Sequence, residues 1–238
     1  MNPSRVAWSL LFVAAACAAP GPEAPGPVRM WGTLREVLRE GHSEARVALA
    51  GVARADTVGV GALAGLAGEV TVLDGHVLVA CASGAAAGVA PERCAVRDAG
   101  PGDAAALLVL ADVPAWQEFA LGACESYEAL ERAIAEHLRQ RGHDLAEPIA
   151  LRVRGRATHL ALHVIAGACP IAHPEGPPPW RHDGAAEAVQ LVGFFVEGSA
   201  GTLTHHMHRS HLHAVAGDVM GHLDEVALAE ATLLLPAS

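Results

Sequence analysis

"HLHAVAGDVMGHLDEV", residues 211–226, reads as a β-hairpin with chemistry on one face. Apolar and polar residues alternate on both sides of Gly217-Asp218, a two-residue connection of the kind that joins antiparallel strands, with Gly free to take positive φ. Such a turn sets the register: Ala216 faces Val219, and counting outward puts His213 directly opposite His222. Side chains alternate with period two, so His211 shares a face with His213 and is expected opposite Asp224. Opposed Cβ atoms lie roughly 4.5–5.5 Å apart, close enough for two imidazoles to close on one ion. Three neutral imidazoles suit Zn²⁺ or another borderline divalent metal and leave coordination positions for water or substrate. His211, His213 and His222 are therefore the expected metal ligands.

Six of the fourteen histidines fall between Thr204 and Val226. His206-Met207-His208 is a second His-x-His, but in a continuous strand its members point to the opposite face from His211 and His213. It becomes a rival pair only if the chain bends near Arg209-Ser210. On this parity argument His205, His206 and His208 are bystanders or neighbouring surface.

Upstream, Leu34, Val37 and Leu38 recur at helical spacing ahead of Gly41, so a short helix is expected. Glu69–Leu73 and Val77–Cys81 have strand character and are joined by Asp74-Gly75, a strong hairpin signal. Gly59-x-Gly61-x-x-x-Gly65 lacks the spacing of a dinucleotide fingerprint and opens no helix, which argues against nucleotide binding. "AALLVLADV" reads as a buried strand, and "SYEALERAIAEHLRQRG" as an amphipathic helix capped by Ser126, ended by Gly142, with Leu130, Ile134 and Leu138 inward. "PIALRVRGRATHLALHVIAG" suggests two strands about Gly155, with Arg152, Arg154 and Arg156 on one solvated edge. A Pro-rich loop, "CPIAHPEGPPPWRHDG", and a further strand, "AVQLVGFFVEG", follow. Strands mixed with two helices and no regular βαβ rhythm predict an α+β fold with mostly antiparallel or mixed sheets.

The chain has 238 residues, 52% hydrophobic and 18% charged, which describes a globular protein. Its net charge of −10 argues against a nucleic-acid partner, because phosphate binding needs a basic face. At the N-terminus Arg5 precedes an apolar run from Val6 to Ala16, too short to span a bilayer and readable as an export signal. Ala14-Ala15-Ala16-Cys17 resembles a lipobox, so residues 1–17 are expected to be a lipoprotein-type signal peptide with Cys17 lipidated, and ordinary cleavage nearby is the alternative. Residues 18–28 read as a Pro/Gly linker and 29–238 as the folded domain. The protein is then exported, either as a cell-envelope lipoprotein touching the membrane only through its lipid or as a periplasmic or secreted protein. Cys81, Cys94, Cys124 and Cys169 allow disulfides without implying a pairing, and buried free thiols are the alternative.

"SHLHAVAGDVMGHLDEV" resembles the metal-binding hairpin of the acetolactate decarboxylase family, with its His-x-His, intervening turn and Gly-His. "GTLREVLREG" and "VGVGALAGLAGEVTVLDG" are similar to the family's N-terminal helix and Gly-x-Gly to Leu-Asp-Gly run, and "PIALRVRG" and "LVGF" match later strands in order. The resemblance, over about residues 32–228, implies two packed β-rich lobes with a zinc site between them. It also implies a carboxy-lyase that converts 2-acetolactate, or a related small anionic β-keto acid, to acetoin and CO₂. Glu69 takes the position of the family's acidic residue and is expected to donate a proton or ligate the metal. A homodimer is left open.

The resemblance breaks at the substrate arginine. Counting eight positions from Gly155 reaches His163, whose imidazole lacks the permanently charged fork of Arg. His163 and Arg181 are the expected substrate-binding residues, with Arg209 a further substitute. The family's Gly-Thr is here Gly61-Ala62, and "LLLPAS" does not resemble its acidic C-terminal tail, which is therefore expected to be missing. The alternative function is therefore a catalytically impaired relative that binds metal or a small ligand in the cell envelope.

Overall fold

The computed structural model describes residues 25–169 and 172–237. The expected signal peptide, the lipidation site at Cys17 and most of the linker lie outside the described residues. Gly26 donates its N–H to the Asp112 carbonyl, so the linker's last residues already run along the domain.

The first sheet is formed by β1 (Arg29–Trp31), β2 (Val47–Ala48), β3 (Thr57–Leu63), β4 (Glu69–Leu73), β5 (His76–Ser83), β6 (Arg93–Asp98) and β7 (Ala104–Asp112). Its order is β1-β7-β3-β4-β5-β6, with β2 also on β7, and every pairing is antiparallel. Asp74-Gly75 makes the expected two-residue turn, with both residues at positive φ, as a type I′ hairpin requires. Gly59 and Gly61 serve packing: a Cβ on either would meet a β7 carbonyl oxygen at 2.3 or 2.1 Å.

The second sheet contains β8 (Trp116–Ala120), β9 (Ile149–Val164), β10 (Trp180–Phe195), β11 (Ser210–Ala216) and β12 (Val219–Pro236). The order β11-β10-β9-β12-β8 is joined by a β11–β12 pairing, so β9, β10, β11 and β12 close on themselves at one end. β9 is one strand rather than the two expected. Gly155 lies inside it, opposite Ala231 of β12, because the close approach of β12 there leaves no room for a side chain. α1 (Tyr127–Gln140) begins at Ser126, whose side chain accepts the Ala129 N–H, and packs Leu130, Ile134 and Leu138 against this sheet. The expected N-terminal helix is a single wide turn, Arg35–Arg39.

The sheets meet through alternation. Val58 and Val60 of β3 and Val109 and Ala111 of β7 pack against Ala150, Val192 and Phe194 of the second sheet. The outer face of the first sheet buries Val70, Val72, Val79, Leu108 and Leu110 under Leu49. Arg152 corrects the solvated-edge reading. β9 is central in its sheet, and the guanidinium is buried, donating to Asp74 Oδ1 at 2.6 Å and Gln190 Oε1 at 2.7 Å above the Trp116 ring. It ties the β4–β5 turn of one sheet to the other.

The four described cysteines are free. Cys94 stands opposite Ala82 and Cys81 opposite Ala95, so those two thiols leave opposite faces of the same strand pair.

Candidate metal centre

The β11–β12 hairpin turns at Gly217-Asp218 with Gly217 at φ +60°, and its register runs Ala216↔Val219, Val215↔Met220, Ala214↔Gly221, His213↔His222. His211, His213 and His222 are buried, with ring centroids 5.1–5.6 Å apart. Each can present one nitrogen within 4.8 Å of the other two.

His211 does not pair with Asp224 as the period-two count implies. The β11–β12 ladder stops at His213↔His222, and Asp224 sits in a bulge of β12 between Leu223 and Glu225. The extra residue breaks the alternation. Asp224 instead accepts from His163 Nδ1 at 2.7 Å and from Arg181 Nη1 at 2.8 Å. Both residues expected to bind substrate thus share one carboxylate, and His163 lies across the strands from His222 and from Arg181.

β4 brings the first sheet to the histidines. Glu69 and Thr71 share the face opposite Val70 and Val72, so the alternation that looks half-exposed in sequence is buried on both sides. Thr71 Oγ1 hydrogen-bonds His213 Nδ1 at 2.9 Å. Glu69 Oε2 lies 3.7 Å from His213 Nε2, while its Oε1 accepts the Ile165 N–H at 3.3 Å. Burial pushes the Glu69 carboxyl up to about 7, against the pull of His163.

Burial also holds the imidazoles neutral. His211 is lowered to about 3 by burial and then by His205, and His213 and His222 fall well below the usual histidine range for the same leading cause. Neutral imidazole is the ligating form. His211 Nδ1 and His213 Nε2 are buried with no hydrogen-bond partner, and an unpaired buried polar atom is costly. The opposite nitrogen of His213 is held by Thr71, the outer-shell arrangement that fixes a ligand's tautomer and orientation. This donor set fits a zinc-type ion.

Several residues escaped the sequence reading. Glu131 of α1 accepts the N–H groups of Arg209 and Ser210, both at 2.9 Å, and the Ser210 hydroxyl at 2.6 Å, clamping β11 one residue before His211. Its signal was its position on the apolar stripe of the helix with Leu130, Ile134 and Leu138. His205 is not a bystander. β11 begins only at Ser210, so strand parity does not extend to residue 205, and turns return its ring to 4.8 Å from His222. Burial lowers its pKa to about 4.

Beside His222 lies a cavity of about 420 Å³ lined by His163, Arg181, His205, His222 and Asp224 and also by Leu34, Arg35, Leu38 and Arg39.

The sequence matches no family model and no curated protein. Among solved structures, alpha-acetolactate decarboxylase from Bacillus subtilis strain 168 is similar at 16% identity with a TM-score of 0.68, over 90% of this chain and 86% of that one. The chain has the acetolactate decarboxylase fold. A Staphylococcus aureus protein of unknown function similar to alpha-acetolactate decarboxylase also matches, at 16% identity and a TM-score of 0.68, over 88% of this chain and 84% of that one. The enzyme from Bacillus subtilis subspecies spizizenii matches at 16% identity and 0.67, covering 90% and 87%. The expected two-lobed, mostly antiparallel architecture is thereby borne out as a fold.

Proposed function

We propose that the chain is a zinc-dependent carboxy-lyase that decarboxylates 2-acetolactate, or a related β-keto acid with an adjacent hydroxyl, to acetoin and CO₂. The observation that carries this reading is the pair of buried, unpartnered nitrogens of His211 and His213 beside His222, in the fold of a decarboxylase. His211, His213 and His222 would hold the zinc, which supplies Lewis acidity toward the substrate's ketone and hydroxyl oxygens.

The reaction breaks the bond between the carboxylate and its neighbouring carbon. CO₂ leaves, the electron pair moves onto the adjacent ketone to give an enolate that keeps the neighbouring hydroxyl, and a proton returns to the carbon that lost CO₂. Glu69 is the proton donor in this reading, or a further ligand; its burial beside His213 supports either role. Thr71 holds the His213 ring, and the Glu131 clamp holds the strand that carries His211 and His213.

The purified chain, loaded with zinc, should release acetoin from racemic 2-acetolactate, and His213→Ala should abolish both stoichiometric zinc and turnover. Equal activity in the two proteins would sink the reading.

One observation favours a second reading, a catalytically impaired binder of metal or a small ligand: His163 and Arg181 are both engaged by Asp224. Zinc bound stoichiometrically without turnover would select it. In either case we propose export with Cys17 as the lipidated N-terminus. The mass of the mature N-terminal peptide tests this, and an unmodified Cys17 would refute it.

A further inference from the structure

An acetolactate-like substrate brings a carboxylate, and the cations expected to receive it are taken. His163 and Arg181 both point at Asp224. Arg209 lies 3.4 Å from Glu197 and 4.0 Å from Glu131. Two other arginines line the cavity, Arg35 and Arg39, one helical turn apart. Among the described residues neither makes an ion pair. The carboxylate on their own turn, Glu36, is occupied by Thr33 and Arg46.

The turn that carries them is pinned to the approach of the histidine segment. Leu34 N–H donates to the Thr202 carbonyl at 3.0 Å and Arg35 N–H to the Gly201 carbonyl at 2.7 Å. The Arg35 side chain crosses Gly201, its Nε and Nη2 each 3.8 Å from where a Cβ on that glycine would stand. The guanidinium therefore lies beside the loop that leads to Thr204 and His205, both cavity-lining. Leu34, Leu38, Ile165 and Cys169 line the same cavity, while Arg35 and Arg39 are exposed at its mouth, where a guanidinium can meet an incoming carboxylate with a charge-assisted fork.

We infer that Arg35, supported by Arg39, is the carboxylate-binding cation of this cavity and fixes its preference for an anionic α-hydroxy acid. The inference rests on the decarboxylase reading. It places substrate recognition on the N-terminal turn rather than on His163.

The test is calorimetric titration of the zinc-loaded full chain with 2,3-dihydroxy-2-methylbutanoate, which has no ketone and cannot decarboxylate, and with its neutral methyl ester. Wild type should bind the acid at least tenfold more tightly than the ester. Arg35→Gln should lose that tenfold for the acid while leaving ester and zinc affinity unchanged, and Arg35→Lys should recover part of it. Arg156→Gln, a substitution outside the cavity, should leave acid binding intact. Acid binding in Arg35→Gln and in the Arg35→Gln/Arg39→Gln double variant equal to wild type would overturn the inference while the function reading stands. Wild-type protein that binds zinc but shows no zinc-dependent binding of the acid would overturn both.

Discussion

Gly221 immediately precedes His222, and its replacement by Ala should uncouple the histidines without unfolding the chain. The residue's φ is negative, so Ala is allowed by the backbone; the obstacle is space. A Cβ there would lie 2.5 Å from the His163 carbonyl oxygen, 3.0 Å from Leu162 Cδ1 and 3.1 Å from Val164 Cγ2. Ordinary contact begins near 3.4 Å, so β12 must retreat from β9 by about 0.9 Å at the position next to His222. Metal–ligand distances tolerate only about 0.2 Å. Zinc affinity should therefore fall by about 10–100-fold, the range seen when a ligand's support is removed. Crowding of this kind costs about 1–3 kcal/mol. Gly155→Ala is the matched control. Its Cβ would meet the Glu230 carbonyl oxygen at 2.3 Å, across the same two strands but beyond the histidines. Both variants should melt below wild type in EDTA, and only Gly221→Ala should lose zinc to a competing chromophoric chelator. Equal zinc affinity in Gly221→Ala and wild type, or equal loss in both variants, would refute the reasoning.

Ala at His211, His213 or His222 should abolish stoichiometric zinc by metal analysis, whereas Ala at His206 or His208 should not; retention in the first set would show that the wrong His-x-His was chosen. Glu131→Ala strands two backbone N–H groups and the Ser210 hydroxyl, and should cost about 3 kcal/mol in urea melts. Glu131→Gln keeps an acceptor oxygen and should cost less. Burial raises the Asp112 pKa, but the Thr57 hydrogen bond, Arg29 and Arg54 outweigh it and leave the carboxyl below its usual value. Its stabilising effect is thus present above the unfolded pKa of about 3.9 and lost as pH falls through the lower folded value. Asp112→Asn should be less stable than wild type at pH 7, with the gap closing in melts below pH 4; a constant gap would contradict the assignment.

The hairpin was legible because its cause is local. A two-residue turn with Gly217 dictates who faces whom, so His213↔His222 follows from counting, as does Leu73↔His76 about Asp74-Gly75. The helix at Ser126 and the antiparallel character of the sheets follow from capping and alternation in the same way. Counting failed where the backbone departs from period two. The bulge at Asp224 moved that carboxylate from His211 to His163 and Arg181, and the turns before Ser210 carried His205 back onto the cluster. It failed again where a second sheet covers a face. Glu69 and Arg152 have the sequence character of surface residues on alternating strands, and both are buried because the sheets pack at their positions.

By itself, then, the sequence determined the three imidazoles and their spacing, since neighbours on a hairpin are set by bonds and a turn. Only the tertiary structure decided what surrounds them. Thr71 and Glu69 come from the other sheet, Glu131 from the helix, and Arg35 and Arg39 from the N-terminal turn. Contacts between segments so far apart in the chain depend on packing, bulges and burial, which no local pattern encodes.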